Sequence, residues 1–468
     1  MRITIINLRL RCIQNKTLRH PVLGVFFAFA LERMFCYNKI KHMFFFYDGG
    51  LLVNKIIFHI DVNSAYLSWE AVYRLQHGET LDLRTIPSAV GGDPVKRHGI
   101  ILAKSHAAKP YKIQTGESLM AAFQKCPHLT VVRPRYELYL KSSNAMVDLI
   151  GEYSSQIQRY SIDECFVDFT DMVKLFGDPV ETAHIIRERI RQELGFTVSI
   201  GISSNKLLAK VASDLKKPDA VSTLFPDEIA EKMWPLPVED LFMVGRATGP
   251  KLRFLGIETI GDLANYDIDI LKNTLKSHGV LIWNYANGIE DSTVKKSNRL
   301  AIKSIGNATT MPFDIDDRRE AHLMLLSLSE MVGARLRDSQ YLARLVGVSY
   351  KNIGFSSTGH QRKFLVPTDH TTEIYKVACE LFDDIWDGLP IRHLGVRVSE
   401  FCENDFVQLH LFDQSSSDKK NRLDRAIDAL RARYEPGTIM RACFVNSGIK
   451  PLTGGVGEDD FPLMSSIL

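Results

Sequence analysis

Ser161-Ile162-Asp163-Glu164-Cys165-Phe166-Val167-Asp168 sets two adjacent carboxylates in a run that otherwise favours an extended strand. Successive strand side chains point to opposite faces, so both acids can serve one site only where the chain turns, as at a hairpin tip. Two carboxylates removed from water repel each other and lose hydration unless a cation or a proton compensates. A divalent metal is the simplest compensation, because hard ions such as Mg²⁺ take carboxylate oxygens and keep positions free for phosphates. Far upstream, Lys55-Ile56-Ile57-Phe58-His59-Ile60-Asp61 reads as a buried strand ending in a third acid. Val62-Asn63-Ser64-Ala65-Tyr66 then turns into a helix that Asn63 or Ser64 is expected to cap, with backbone N–H groups suited to phosphate oxygens. Taken singly, the Asp-Glu pair is a solvated acidic turn and Asp61 a helix cap. The combination points to metal–phosphate chemistry.

The elements that must position these acids follow from periodicity. Residues 133–158 carry Tyr136, Tyr139, Met146, Leu149, Ile150 and Tyr153 at helical spacing. The hairpin around Asp163-Glu164 comes next, then a helix over 179–194 that Gly195 stops. A strand over 196–202 leads into a helix over 205–215. Strand, helix, hairpin, helix and strand in this order predict a ferredoxin-like domain.

The length, 468 residues, suggests about three domains. The chain is 45% hydrophobic and 24% charged, as expected of globular domains with sizeable cores. Residues 1–52 carry eight of the 58 basic and two of the 55 acidic residues, leaving 50 basic and 53 acidic residues elsewhere. Global charge therefore gives no sign of a polyanion partner, and any such binding must use local patches. The seven cysteines form no C-x-x-C pair and read as reduced thiols of a cytoplasmic protein. The leader 1–52 does not resemble part of a domain. Its apolar run 22–31 is too short to span a bilayer. It has the outline of a signal peptide, and the competing expectation is a translation start at Met43 or near Val53.

The D-V-N-S-A-Y block at 61–66, the S-I-D-E block at 161–164 and Gly201-Ile202-Ser203-Ser204-Asn205-Lys206 stand in a fixed order. From about Lys55 to about Tyr434 the chain resembles the Y-family, lesion-bypass DNA polymerases. Asn63, where an Asp is the other option, places it nearer the bacterial polymerase V-like, UV-damage-repair branch. The resemblance implies an α+β multidomain protein with a ferredoxin-like palm (53–85 and 130–234), small fingers (86–129), a helical thumb (235–294), an α/β little finger (295–405) and a C-terminal tail (406–468). It implies a cytoplasmic, SOS-linked monomer that binds primer-template DNA, dNTPs and a sliding clamp, with no membrane. Two Mg²⁺ ions would be held by Asp61, Asp163, Glu164 and the Val62 carbonyl. Tyr66 would lie under the incoming sugar and exclude a ribose 2′-hydroxyl. Ser64, Ala65, His106, Lys109 and Lys217 would face the triphosphate. The family keeps a tyrosine and an arginine where this chain has His106 and Lys109, and a lysine lacks the bidentate fork of arginine.

Further along, Val244-Gly245-Arg246-Ala247-Thr248-Gly249-Pro250-Lys251 resembles a helix-hairpin-helix, which offers backbone N–H groups to DNA phosphate without reading sequence. Its usual first glycine is absent, with Met243 near that place. Gly245, Gly249 and Lys251 are the expected contacts there. In the little finger, Lys303 follows a basic linker, and 340–367 contains Arg344, Lys351, Arg362 and Lys363 with no acid, a face suited to DNA backbone. Gln408-Leu409-His410-Leu411-Phe412 resembles a clamp-docking peptide, in which Leu411 and Phe412 fill a pocket and Gln408 and Leu409 complete the contact. Two other readings compete: a nucleotide cyclase, which would need no thumb or little finger, and a catalytically dead DNA-binding paralogue. No exonuclease constellation is visible in the sequence, so low fidelity is expected.

Overall fold

The computed structural model describes residues 55–92, 99–295, 302–403, 416–434, 437–449 and 451–452. The leader and the 408–412 peptide lie outside the described residues.

The palm is a five-stranded sheet in the order β5-β6-β1-β7-β8. Its strands are β1 (Ile57–Val62), β5 (Ile157–Arg159), β6 (Glu164–Asp168), β7 (Val198–Ser203) and β8 (Val221–Thr223). The pairs β5–β6, β6–β1 and β1–β7 are antiparallel, and β8 adds parallel to β7. This is the ferredoxin-like order with one extra edge strand. Period-2 alternation divides the sheet. Phe58, Ile60 and Val62 of β1 share one core with Cys165, Val167, Val198, Ile200 and Ile202. Onto that face pack α1 (Ala65–Gln76), α3 (Tyr136–Gly151) and α4 (Pro179–Arg189). After Arg189 the helix continues as a π turn to Leu194, and Gly195 ends it at φ 80°, which a residue with a Cβ adopts only with strain.

Ile57, His59 and Asp61 point to the other face, which α5 (Lys206–Leu215) covers. Asn205 caps α5 by accepting from the Leu208 N–H. The helix passes so close to β7 that a Cβ on Gly201 would overlap the Ala209 carbonyl oxygen and the Ser213 nitrogen.

The fingers carry α2 (Leu119–Lys125) and a small sheet, β3-β2-β4. Its strands are β2 (Ser88–Gly91), β3 (Ile101–Lys104) and β4 (Thr130–Val132). β4 pairs in parallel with β2, from Ser88 opposite Thr130 to Val90 opposite Val132. The expected boundary at 130 therefore falls too early: three residues given to the palm complete the fingers sheet.

The thumb consists of α6 (Gly249–Phe254), α7 (Ile260–Asn265), α8 (Ile268–Leu275) and α9 (Ser277–Ala286). Leu207, Leu208, Val211 and Ala212 of α5 enter its core, so one helix joins palm to thumb.

The little finger is a four-stranded antiparallel sheet in the order β11-β10-β12-β9, with α10 (Arg318–Asp338) and α11 (Thr371–Ile385) on one face. Its strands are β9 (Ser304–Ile315), β10 (Tyr341–Asn352), β11 (Ser357–Thr368) and β12 (Ile391–Glu403). Beyond it runs α12 (Ser416–Tyr434). After α12 the chain returns to the little finger. Phe444 and Ile449 are buried in the little-finger core, and the Leu452 N–H donates to Ser327. Arg431 and Arg441 both pair with the buried Glu330 of α10, so the segment is fastened by charge as well as by apolar burial.

Candidate active site

Asp61, the penultimate residue of β1, stands directly opposite Glu164, the first residue of β6. Directly opposed residues share a face, with Cβ atoms about 5 Å apart. Asp163 occupies the turn before β6, and its carbonyl accepts the Val62 N–H at 3.1 Å. The hairpin thus brings all three acids to one end of the palm sheet. Asp61 is buried, and Asp163 and Glu164 are half-buried.

Each carboxylate is turned to its own partner. Lys217 forms a very close ion pair with Asp61 and also meets Asp214. Lys210 of α5 forms an equally close pair with Glu164. His59 Nε2 meets Glu164 at 3.1 Å, while His59 Nδ1 lies 2.8 Å from Ser213 Oγ. The Ser161 hydroxyl donates to Asp163. As the side chains stand, no group of three or more Asp, Glu, His or Cys among the described residues converges at metal-holding spacing.

The electrostatics show what the site lacks. Burial raises Asp61 to about 7 in spite of Lys217, and the charges of Glu164 and Asp163 add to the rise. Burial also raises Asp163, although Ser161 opposes it. Burial pushes Glu164 up too, but the His59 hydrogen bond and Lys210 outweigh it and draw the carboxyl down. Burial lowers His59 to about 4, so at neutral pH it meets Glu164 as an uncharged N–H donor. Two lysines therefore face three acids and Asp214, and Asp61 remains undercompensated. Hard carboxylate oxygens short of positive charge are the donor set that a divalent cation fits.

The expected helix cap is corrected. The Asn63 amide donates to Thr197 Oγ1 and its oxygen accepts from Ser199, while Ser64 sits at φ 51° with no side-chain cap bond. The first turn of α1, from Ala65, thus keeps amides that no cap side chain among the described residues satisfies. Tyr66 is half-buried, stacked on Tyr139 at 4.7 Å and edge-on to Tyr136. Burial raises its phenol, with Asp163 as the next cause.

His106 and Lys109 are exposed on a 3-10 turn, His106–Tyr111, carried by the fingers rather than the palm. In the thumb, Gly245 is exposed, Gly249 is buried against Glu239, and Lys251 is exposed. The Thr248 and Gly249 N–H groups both donate to the Gly245 carbonyl, so those two amides are used within the turn. Met243 takes φ 74°, the left-handed conformation that a glycine adopts without strain.

The four cations of 340–367 do not form one face. Arg362 stands opposite Val346, on the helix-covered side, and pairs with Glu380 and Asp384 of α11. Lys351 and Lys363 fall on the open side, where Lys363 also meets Glu400. Arg344 is exposed at a register shift between Ala343 and Leu345, and Lys303 is exposed just before β9. The open face gains Arg397, opposite Gly347 and Gly306, which sequence reasoning missed. Sequence reasoning also misses the contacts of His59 and Lys210 with Glu164. The signals were a polar residue two before Asp61, on the same strand face, and lysines at 206 and 210, one helical turn apart. Lys206 itself is buried over the Phe166 ring.

The impB/mucB/samB family model matches residues 60–214, and the model of that family's C-terminal domain matches residues 302–411. The chain is 46% identical over 390 residues to the DNA polymerase IV of Clostridium acetobutylicum, covering 83% of this chain and 98% of that protein. It is 37% identical over 399 residues to DNA polymerase IV 2 of Bacillus subtilis, covering 84% and 95%. The chain is a member of the Y-family of DNA polymerases.

This Y-family polymerase is accordingly a DNA-directed DNA polymerase. Among solved structures its fold is similar to a Y-family DNA polymerase chimera, with TM-score 0.65 and 21% identity, covering 75% of this chain and all of that one. The curated relatives bear the name DNA polymerase IV, so they support the family and not the polymerase V-like branch expected from Asn63. No helix among the polymerase's described residues is long and apolar enough to cross a membrane.

Proposed function

We propose that the polymerase inserts deoxynucleotides opposite damaged template bases by a two-metal-ion nucleotidyl transfer at Asp61, Asp163 and Glu164. The observation that carries this reading is the buried, cation-poor meeting of β1 and the β5–β6 hairpin, where Asp61 faces Glu164 in register. Those three carboxylates and the Val62 carbonyl would hold two Mg²⁺ ions. When bound, such ions acidify a primer 3′-hydroxyl and neutralise charge on the triphosphate and leaving pyrophosphate.

The chain's own residues do the positioning, which in phosphoryl transfer carries most of the rate. Lys217 and Lys210 bring positive charge to the rim of the acids. Ser64, Ala65 and the uncapped first turn of α1 present N–H groups to phosphate oxygens. Lys109, with His106, reaches the triphosphate from the fingers. In the thumb, the exposed part of the turn, residues 245–247, and Lys251 meet DNA phosphate, while Gly249, buried with its amide spent in the turn, is left out. In the little finger, Lys303, Arg344, Lys351, Lys363 and Arg397 do the same, which makes binding salt-sensitive and sequence-independent. Arg362, spent on α11, is left out of that set.

Primer extension tests the reading: purified protein with Mg²⁺, on an undamaged template and on one with a single bulky lesion. Extension past the lesion is expected, and a complete stall there would contradict damage bypass.

Tyr66 is assigned to the floor under the sugar. Tyr66→Ala is expected to raise ribonucleotide insertion relative to deoxynucleotide by about a hundredfold. An unchanged ratio in single-nucleotide insertion assays removes the assignment. For 408–412, the reading is a sliding-clamp peptide. Replacing Leu411 and Phe412 by Ala should abolish synthesis stimulated by added clamp while sparing clamp-free extension. Undiminished stimulation counts against it.

A further inference from the structure

We propose that Tyr136, Tyr139 and the pair of buried Glu70 with Arg135 form a brace that fixes the Tyr66 ring and so sets how strictly the enzyme excludes ribonucleotides. The inference rests on the reading of Tyr66 as the floor beneath the sugar. A ring rejects an extra hydroxyl only as far as it refuses to move, because overpacking costs energy only where the surroundings cannot yield. The residues behind Tyr66 therefore decide the selectivity that Tyr66 displays.

Those residues form a closed stack. The Tyr139 ring lies parallel to Tyr66, 4.7 Å away and tilted by 12°. Tyr136 meets Tyr66 edge-on at 6.3 Å and 90°, and meets Tyr139 edge-on at 6.1 Å. Trp69, fully buried, closes the back against both Tyr66 and Tyr139 at 6.0 Å. Tyr139 is also fully buried.

A single carboxylate holds this stack. Glu70 follows Tyr66 by one turn of α1 on the same helix face. Its carboxylate is wholly buried, accepts from Arg135 at 2.6 and 3.1 Å and from Arg74 at 3.0 Å, and lies 3.4 Å from the Tyr139 hydroxyl. Arg135 is the residue just before α3, and its guanidinium lies over the Tyr73 ring at 3.9 Å. Glu70 thus pins the start of α3, the turn that carries Tyr136 and Tyr139, to the helix that carries Tyr66. A bidentate Arg–carboxylate pair is directional, and here its carboxylate side is out of water while the Arg135 side chain stays partly exposed. These four side chains touch no nucleotide in this account; they are positioning residues.

The test is the ratio of kcat/KM for a deoxynucleotide to that for its ribonucleotide, opposite one template base, with Tyr66→Ala as the reference. Tyr139→Leu and Tyr136→Ala are expected to lower the ratio by about three- to tenfold, the range one aromatic pair contributes, through a rise in ribonucleotide insertion. Tyr139→Phe keeps the stack and is expected to retain most of the selectivity, and Glu70→Gln to fall between. Tyr136 is 45% exposed, so Tyr136→Ala serves if the buried variants fail to fold. Selectivity left intact in Tyr136→Ala and in any folded Tyr139→Leu, while Tyr66→Ala relaxes it, overturns the brace. If Tyr66→Ala itself leaves the ratio unmoved, the reading beneath falls, and the brace with it.

Discussion

Replacing Asp163 with alanine is expected to lower primer extension by about a thousandfold or more, with the fold intact. The backbone at Asp163 holds the hairpin to β1, since its carbonyl accepts the Val62 N–H, and alanine keeps that bond. Among the described residues the side chain meets the Ser161 hydroxyl and its own backbone N–H. Burial raises its carboxyl, so the ionised form stands there at a cost to stability. A group whose removal leaves the fold intact while stopping synthesis acts in the reaction. Single-nucleotide extension and a thermal melt of the same preparation check both halves. Activity within about tenfold of wild type would deny Asp163 the role.

Gly201→Ala is expected to be the most damaging of these single changes to stability, by about 3 kcal/mol or more, at the upper end for overpacking. The added Cβ would overlap backbone atoms of Ala209 and Ser213, which no rotamer change can clear. The helix α5 would have to lift from β7. That helix also carries Lys210 to Glu164 and Ser213 to His59, and it contributes Leu207, Leu208 and Val211 to the thumb core. Loss of soluble protein or a melting transition many degrees lower is the expected result. A variant that melts with wild type would mean that α5 does not cross β7 this closely.

The palm was legible because its signals are local. Alternating apolar residues around Asp61, the turn chemistry before Glu164 and the stop at Gly195 each act within a few residues, and together they dictate the strand order. What was not legible depends on register or on distant partners. Counting charges over 340–367 grouped Arg362 with Lys363. Only the pairing of Val346 with Arg362 shows that adjacent residues face opposite sides of the sheet. The sequence places Thr130–Val132 after the fingers, but its hydrogen bonds go to Ser88–Gly91. Arg431 and Arg441 look like a charged tail until Glu330, far earlier in the chain, is seen to take both. The helix cap failed for a related reason: Thr197 and Ser199, on a neighbouring strand, claim the Asn63 side chain. At Met243 the local rule was informative in another way, since the chain keeps the left-handed turn that a glycine would ease.

The most direct measurement is a crystal structure of the protein with primer-template DNA, a non-hydrolysable deoxynucleoside triphosphate and Mn²⁺ in place of Mg²⁺, with the ions located by anomalous scattering. The account predicts ions bound by Asp61 together with Asp163 and Glu164, with Lys217 displaced from Asp61. Ions that contact none of these carboxylates, or an Asp61 that keeps Lys217 and touches no ion, would contradict it.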